Sequence, residues 1–225
     1  MGRKDYVFVI AGGPLGNKAF LRSQVVAFDP VGLICADGGA RHLLNLGLMP
    51  RVIVGDLDSL APDILKRCEE QGSRIVRFSR DKNETDTQLA LEYARELRPD
   101  EIRIYGGLGG RIDHTLANIS LLVQAVKQGV AAKLVDEWCE AFVVTDAAVI
   151  EGVVGQTVSL LPLSSEVRGI DLEGFAYPLA GGVMEIGAPY GISNRLQTER
   201  ATISIAAGYL LVLHYYRPER FPEGD

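Results

Sequence analysis

Up to about residue 137, short runs of apolar and β-branched residues alternate with segments whose apolar positions recur every three or four residues. That is the pattern of a parallel sheet covered by helices. The strand-like runs fall at 6–10, 32–36, 51–54, 74–78, 101–105 and 132–135. Their continuous apolar character suits strands buried on both faces, so six parallel strands are expected. The clearest helix covers 86–97, where Leu89, Tyr93 and Leu97 repeat at four-residue spacing while Glu92, Arg95 and Glu96 lie on other faces. Thr85, followed three residues later by Gln88, fits a capping box that satisfies amides left unpaired in the first turn. Another helix is expected over 115–128, ended by Gly129 in a left-handed conformation. After Glu137 only strand-like runs remain, at 141–145, 157–161, 201–205 and 209–214, separated by Gly and Pro turns. The expected fold is therefore an α/β domain with a parallel, about six-stranded sheet over 1–137, then an all-β sandwich or barrel over 138–225.

Composition narrows the class without naming a chemistry. With 47% hydrophobic and 23% charged residues the chain has the makeup of a globular protein rather than a disordered or fibrous one. A net charge of -6 argues against a nucleic-acid-binding protein, so any phosphate ligand is expected to be held locally or through a metal. No apolar run approaches the roughly 20 residues that cross a bilayer, and the first residues pass into a strand without a cleavage site; the chain reads as cytoplasmic. Cys35, Cys68 and Cys139 are far apart and lack Cys-x-x-Cys spacing, so they are read as buried apolar residues rather than disulfide or zinc partners.

Chemistry gathers after the strands of the first half. The segments that follow them are Ala11-Gly12-Gly13, Asp37-Gly38-Gly39, Gly55-Asp56-Leu57-Asp58-Ser59, Ser79-Arg80-Asp81 and Gly106-Gly107-Leu108-Gly109-Gly110-Arg111. In an open parallel sheet these ends converge on one crevice, here acidic and glycine-lined. Asp56 and Asp58, two apart on a tight loop, can face a shared cation. Capping of the next helix is the competing role for such a pair. The company of Asp81 and Asp86 on a neighbouring strand end favours a metal, because clustered anions repel unless one neutralises them. Asp86 also suits a first helical turn, Asp81 a solvated loop and Asp37 a simple turn. The stretch 106–114 can cradle phosphate with backbone amides and a helix N-terminus, Arg111 adding charge. Asp113 is equally placed to cap a helix beginning near Thr115, and His114 is given no catalytic role.

Five motifs in order resemble the thiamine pyrophosphokinase family: Ala36-Asp37-Gly38-Gly39-Ala40, Gly55-Asp56-Leu57-Asp58-Ser59, Thr85-Asp86, Gly106 through His114, and Gly191-Ile192-Ser193-Asn194. The resemblance covers nearly the whole chain. It implies Mg²⁺-dependent transfer of the pyrophosphoryl group of ATP to the hydroxyl of thiamine, with AMP leaving after in-line attack at the β-phosphorus. It further implies that Asp56, Asp58, Asp81 and Asp86 surround the triphosphate and magnesium, with Asp56, Asp58 and Asp86 as metal ligands. Asp37, Gly107, Gly110, Arg111 and Asp113 would hold ATP. Ser193 and Asn194 fall in the thiamine-site motif, and Tyr177 could stack on a ligand ring or be a half-buried strand tyrosine. A homodimer with thiamine bound between subunits is implied as well. One departure is Asn83, where similar sequences commonly carry a further aspartate; an amide oxygen can reach a metal but brings no charge.

Three rivals share parts of this reading. Another magnesium phosphotransferase fits the acidic crevice, since fold does not fix the acceptor. A non-catalytic thiamine or nucleotide sensor would bind without releasing AMP. A nicotinamide-dependent dehydrogenase lacks its dinucleotide fingerprint after the first strand.

Overall fold

Six strands of the first half pair in parallel: β1 (Tyr6–Ile10), β2 (Gly32–Ala36), β3 (Val52–Gly55), β4 (Arg74–Arg77), β5 (Glu101–Tyr105) and β6 (Ala132–Val135). The structure, a computed structural model, describes residues 3–216, so the outer limits expected for both domains lie outside the described residues. Its two compact units are Met1–Asp136 and Glu137–Asp225. In the first, the strands lie in the order β6-β5-β1-β2-β3-β4. Val7, Phe8, Val9 and Ile10 are all fully buried, which is why β1 shows no alternation of polar and apolar positions.

The strand order decides where a ligand can enter. From β1 the chain steps outward through β2 and β3 to β4, then returns to place β5 on the other side of β1. The connections leaving β1 and β5 therefore run to opposite sides, towards β2 and towards β6, and a crevice opens at the carboxyl ends where they part.

Five helices connect these strands: α1 (Lys18–Phe28), α2 (Ala40–Leu44), α3 (Pro62–Glu70), α4 (Asp86–Glu96) and α5 (Ile112–Lys127). Thr85 caps α4 by accepting from the Gln88 amide at 3.1 Å. Only half of the capping box forms, because the Gln88 side chain turns along the helix to donate to Glu92 at 3.3 Å. Helix α5 begins three residues before the expected Thr115, with Arg111 rather than Asp113 at its N-cap. Gly109 and Gly110, at φ 77° and 69°, complete the turn early enough for helical geometry to start at Ile112. Asp113 thus sits inside the first turn, where its carboxylate complements the helix dipole. Gly129 takes the left-handed conformation expected past the end, at φ 74°.

The second unit is a sandwich rather than a barrel. Its strands are β7 (Cys139–Val144), β8 (Ala147–Glu151), β9 (Thr157–Pro162), β10 (Glu166–Glu173), β11 (Leu179–Glu185), β12 (Asn194–Arg195), β13 (Arg200–Ser204) and β14 (Leu210–Tyr215). One antiparallel layer runs β12-β9-β14-β7 and the other β11-β10-β13-β8. Phe142, Leu160 and Val212 from the first layer share a core with Ile150, Leu172 and Ile203 from the second. Among the described residues no helix is long and apolar enough to cross a membrane.

Candidate active site

At the reversal of strand order the loop after β1 is held against the loop after β5 by backbone bonds, Ala11 N–H to Tyr105 O at 2.8 Å and Gly13 N–H to Gly106 O at 3.1 Å. The loop after β2 packs equally close, since a Cβ on Gly39 would collide with the carbonyl of Ile10. At Gly13 and Gly39 a side chain would strike neighbouring backbone, and the packed loops floor a cavity of 390 Å³. Gly12, Gly13, Gly38 and Gly107 line it with backbone, while Asp37, Arg41, Asp86, Arg111, His114 and Asn118 supply polar side chains. Its volume is that of a small-molecule site.

The carboxylates do not gather as the sequence suggested. Asp37, Asp56 and Asp58 each bring an oxygen within 4.8 Å of the others. Asp37, read above as an ATP contact, is therefore a member of the acidic group. It is 7% exposed, its backbone holds φ 39°, and among the described residues its Oδ1 has no hydrogen-bond partner. Leu57, between the other two acids, is also left-handed at φ 63°. For non-glycine residues such backbones cost of order 1 kcal/mol or more and are kept where the surroundings impose them.

Asp86 stands just behind this group. A Cβ on Gly55 would lie 2.9 Å from Asp37 Cβ and 3.2 Å from Asp86 Oδ1, so both side chains cross the end of β3. Asp86 is already paired, accepting from Lys82 Nζ at 2.6 Å. Asp81 is exposed on the loop before α4 and does not belong to the three gathered acids; Asn83 is likewise exposed.

Two arginines meet the acids differently. Arg80, which the sequence reading did not single out, bridges Asp56 and Asp58. Arg111 turns to Asp113, Nη2 to Oδ2 at 2.5 Å, and this bond holds the Asp113 carboxyl below the usual carboxylate range. Arg111 lines the cavity, whereas Asp113 and Gly110 stand beside it, Gly110 against Pro14 of the lining. Asn118, also missed, is buried and donates to the Gly107 carbonyl at 2.8 Å, fixing the glycine-rich loop after β5.

A group of three carboxylates with one buried oxygen unsatisfied fits a hard divalent cation, because oxygen-only donors of this charge suit Mg²⁺ better than a thiol- or imidazole-seeking metal.

The second unit carries its own cavity of 470 Å³, lined by Leu160, Leu172, Tyr177, Met184, Tyr190 and the 191–195 segment. Asn194 is 5% exposed and spends its amide on the backbone: Oδ1 accepts from Tyr177 N–H at 3.0 Å and Arg195 N–H at 2.8 Å, and Nδ2 donates to Tyr177 O at 2.8 Å. Tyr177 is 70% exposed, so it is no half-buried strand residue; its ring stands at the cavity held by that clamp. Ser193 adopts φ 61°, its N–H donating to Ser159 Oγ at 3.1 Å, and its own side chain is exposed in the lining.

A switch-point crevice with a gathered set of acids, on a parallel-sheet unit joined in sequence to a β-sandwich, marks an enzyme of the phosphate-transferring α/β class. Residues 31–134 match "Thiamin pyrophosphokinase, catalytic domain" and residues 148–210 match "Thiamin pyrophosphokinase, vitamin B1 binding domain". A thiamine pyrophosphokinase of Bacillus subtilis is 33% identical over 208 residues, covering 91% of this chain and 96% of the relative. A crystal structure of thiamine pyrophosphokinase from B. subtilis superposes with a TM-score of 0.82 at 30% identity, over 94% of this chain and 99% of that one. That of Geobacillus thermodenitrificans gives 0.80 at 25% identity, over 95% and 99%. The chain belongs to the thiamine pyrophosphokinase family.

Proposed function

We propose that this enzyme transfers the pyrophosphoryl group of ATP to the hydroxyl of thiamine, with ATP in the first-unit crevice and thiamine at the second-unit cavity. The observation that carries the nucleotide side is the buried, unsatisfied Asp37 oxygen beside Asp56 and Asp58, at a crevice walled by backbone amides. Asp37, Asp56 and Asp58 hold Mg²⁺ in this reading, with Asp86 alongside and oriented by Lys82. Bound there, magnesium would neutralise charge on the phosphate oxygens. The protein's part is positioning. Backbone amides around Gly12 and Gly107 and the N-terminus of α5, with Gly110 beside them, surround the polyphosphate, Arg111 offers charge when it leaves Asp113, and the fixed crevice holds the donor for in-line attack by the thiamine hydroxyl.

Tyr177, held by Asn194, offers a ring for the acceptor heterocycle to stack on, beside Ser193. The active species is a homodimer: Tyr177, Tyr190 and Ile192 are exposed around the cavity, with Val183 and Ile186 exposed on and beside β11, an apolar surface of the kind that partners cover. Cytoplasmic residence agrees with the burial of all three cysteines.

Incubating the protein with thiamine, ATP and magnesium and identifying the products tests the reading. Thiamine diphosphate and AMP are expected, with turnover abolished in Asp56→Asn. Release of ADP, or AMP production independent of thiamine, would refute it.

A further inference from the structure

Each carboxylate oxygen of Asp56 and Asp58 already has a partner within the chain. Asp56 Oδ1 accepts from the Asp58 amide at 3.3 Å, and Asp58 Oδ1 accepts from Ser59 Oγ at 3.2 Å. The remaining two, Oδ2 of each, are taken by one guanidinium: Arg80 Nε lies 3.2 Å from Asp56 Oδ2 and its Nη2 pairs with Asp58 Oδ2. Arg80 sits on the loop after β4 with 70% of its side chain exposed, against 19% for Asp56 and 43% for Asp58. The cation approaches from solvent and covers the two outer acids, while the inner one, Asp37, keeps its unsatisfied oxygen.

We propose that Arg80 is an internal counter-ion that occupies the acidic group until a divalent metal displaces it. The inference rests on the metal reading above. An ion that engages Asp56 and Asp58 competes with Arg80 for their Oδ2 atoms, since the Oδ1 of each already accepts a bond within the loop. A guanidinium never loses its proton at working pH, so the two cations exchange and cannot be shared by neutralisation. The exchange has two consequences. Before metal arrives, repulsion between Asp56 and Asp58 is relieved from within the chain. Once it arrives, a positive charge is set free beside the crevice, at the moment when an anionic substrate needs one. Metal loading and the availability of Arg80 are a single event.

Titrating Mn²⁺ into the metal-free full chain, followed by electron paramagnetic resonance without nucleotide, tests this. Exposed ion pairs are weak, so Arg80→Gln is expected to tighten Mn²⁺ roughly two- to fivefold. Its melting temperature should fall slightly without metal and match wild type at saturation. Arg80→Lys keeps the charge but cannot bridge both carboxylates, and should fall between the two. Unchanged or weaker Mn²⁺ binding in Arg80→Gln overturns the proposal, as does Arg80→Lys that cannot be told from wild type, since through-space charge alone then accounts for the effect. Asp56→Asn separates the two readings: if it binds Mn²⁺ as tightly as wild type, the metal assignment itself falls and the proposal with it.

Discussion

Replacing Asn194 by alanine removes three hydrogen bonds at once, two accepted by Oδ1 from the Tyr177 and Arg195 amides and one donated by Nδ2 to the Tyr177 carbonyl. Each is worth about 1 kcal/mol net. Tyr177 is 70% exposed and its freed backbone groups can turn to water, so the total should come to about 2 kcal/mol rather than the sum of three full desolvation penalties. For a chain of this size that corresponds to a fall in melting temperature of about 4–8 °C. The functional loss follows from the same clamp: released from Asn194, the Tyr177 backbone no longer fixes its ring at the second-unit cavity, so KM for thiamine should rise while KM for ATP holds. Asn194→Asp provides a control, since it keeps both acceptor bonds and sets an anion against the Tyr177 carbonyl; it should be worse than alanine in stability. Differential scanning fluorimetry and steady-state kinetics with each substrate varied would measure both effects. A melting temperature within about 1 °C of wild type together with an unchanged KM for thiamine would refute the clamp, and a rise in KM for ATP would refute the division of substrates between the units.

Asp37→Asn should raise the melting temperature of the metal-free protein, by the equivalent of about 1 kcal/mol, because it removes one charge from three carboxylates within 4.8 Å; Mn²⁺ affinity and turnover should collapse together. Gly39→Ala should cost about 3 kcal/mol or more, read as a lower melting temperature, because its Cβ meets the backbone carbonyl of Ile10 and neither chain can give. Asn83→Asp should leave the Mn²⁺ titration within about twofold of wild type, the residue being exposed and apart from the gathered acids; a marked tightening would put position 83 in the metal's shell. In the folded protein Cys35 and Cys68 should react with thiol reagents only as fast as it unfolds, since burial pushes both thiols up and keeps them protonated.

Much of the first unit was legible because buried parallel strands must be apolar throughout, and such runs are plain in the chain. Strands β8, β10 and β11 were not. Exposed and buried positions mix irregularly along them, register shifts interrupt the β10–β11 pairing, and Gly181 and Gly182 read as a turn rather than a strand. Helix α5 starts early because consecutive left-handed glycines shorten the turn, which composition alone does not reveal. At the site, the loops after β2 and β3 were rightly seen to converge, but which acids would touch depended on backbone conformation. The left-handed turn at Asp37 brings it to Asp56 and Asp58. Asp81, on a longer loop, stays in solvent. Asn118 had a readable signal: with His114 it shares the i, i+4 face of one helix, and both line the crevice. Arg80 had none, since a loop arginine announces no partner.

The placement of β1 between β2 and β5 also bears on how the chain is made. During synthesis residues 6–77 emerge as β1 through β4, a sheet whose innermost strand has one edge bare until residues 101–105 follow. That edge belongs to Val7, Phe8, Val9 and Ile10, all apolar and fully buried in the folded protein. An unpaired edge of this kind is a template for the wrong neighbour, another nascent chain included. The return that opens the crevice therefore leaves the growing chain vulnerable to aggregation for the time a ribosome needs to add some thirty residues, a few seconds at ordinary elongation rates of roughly 5–20 residues per second.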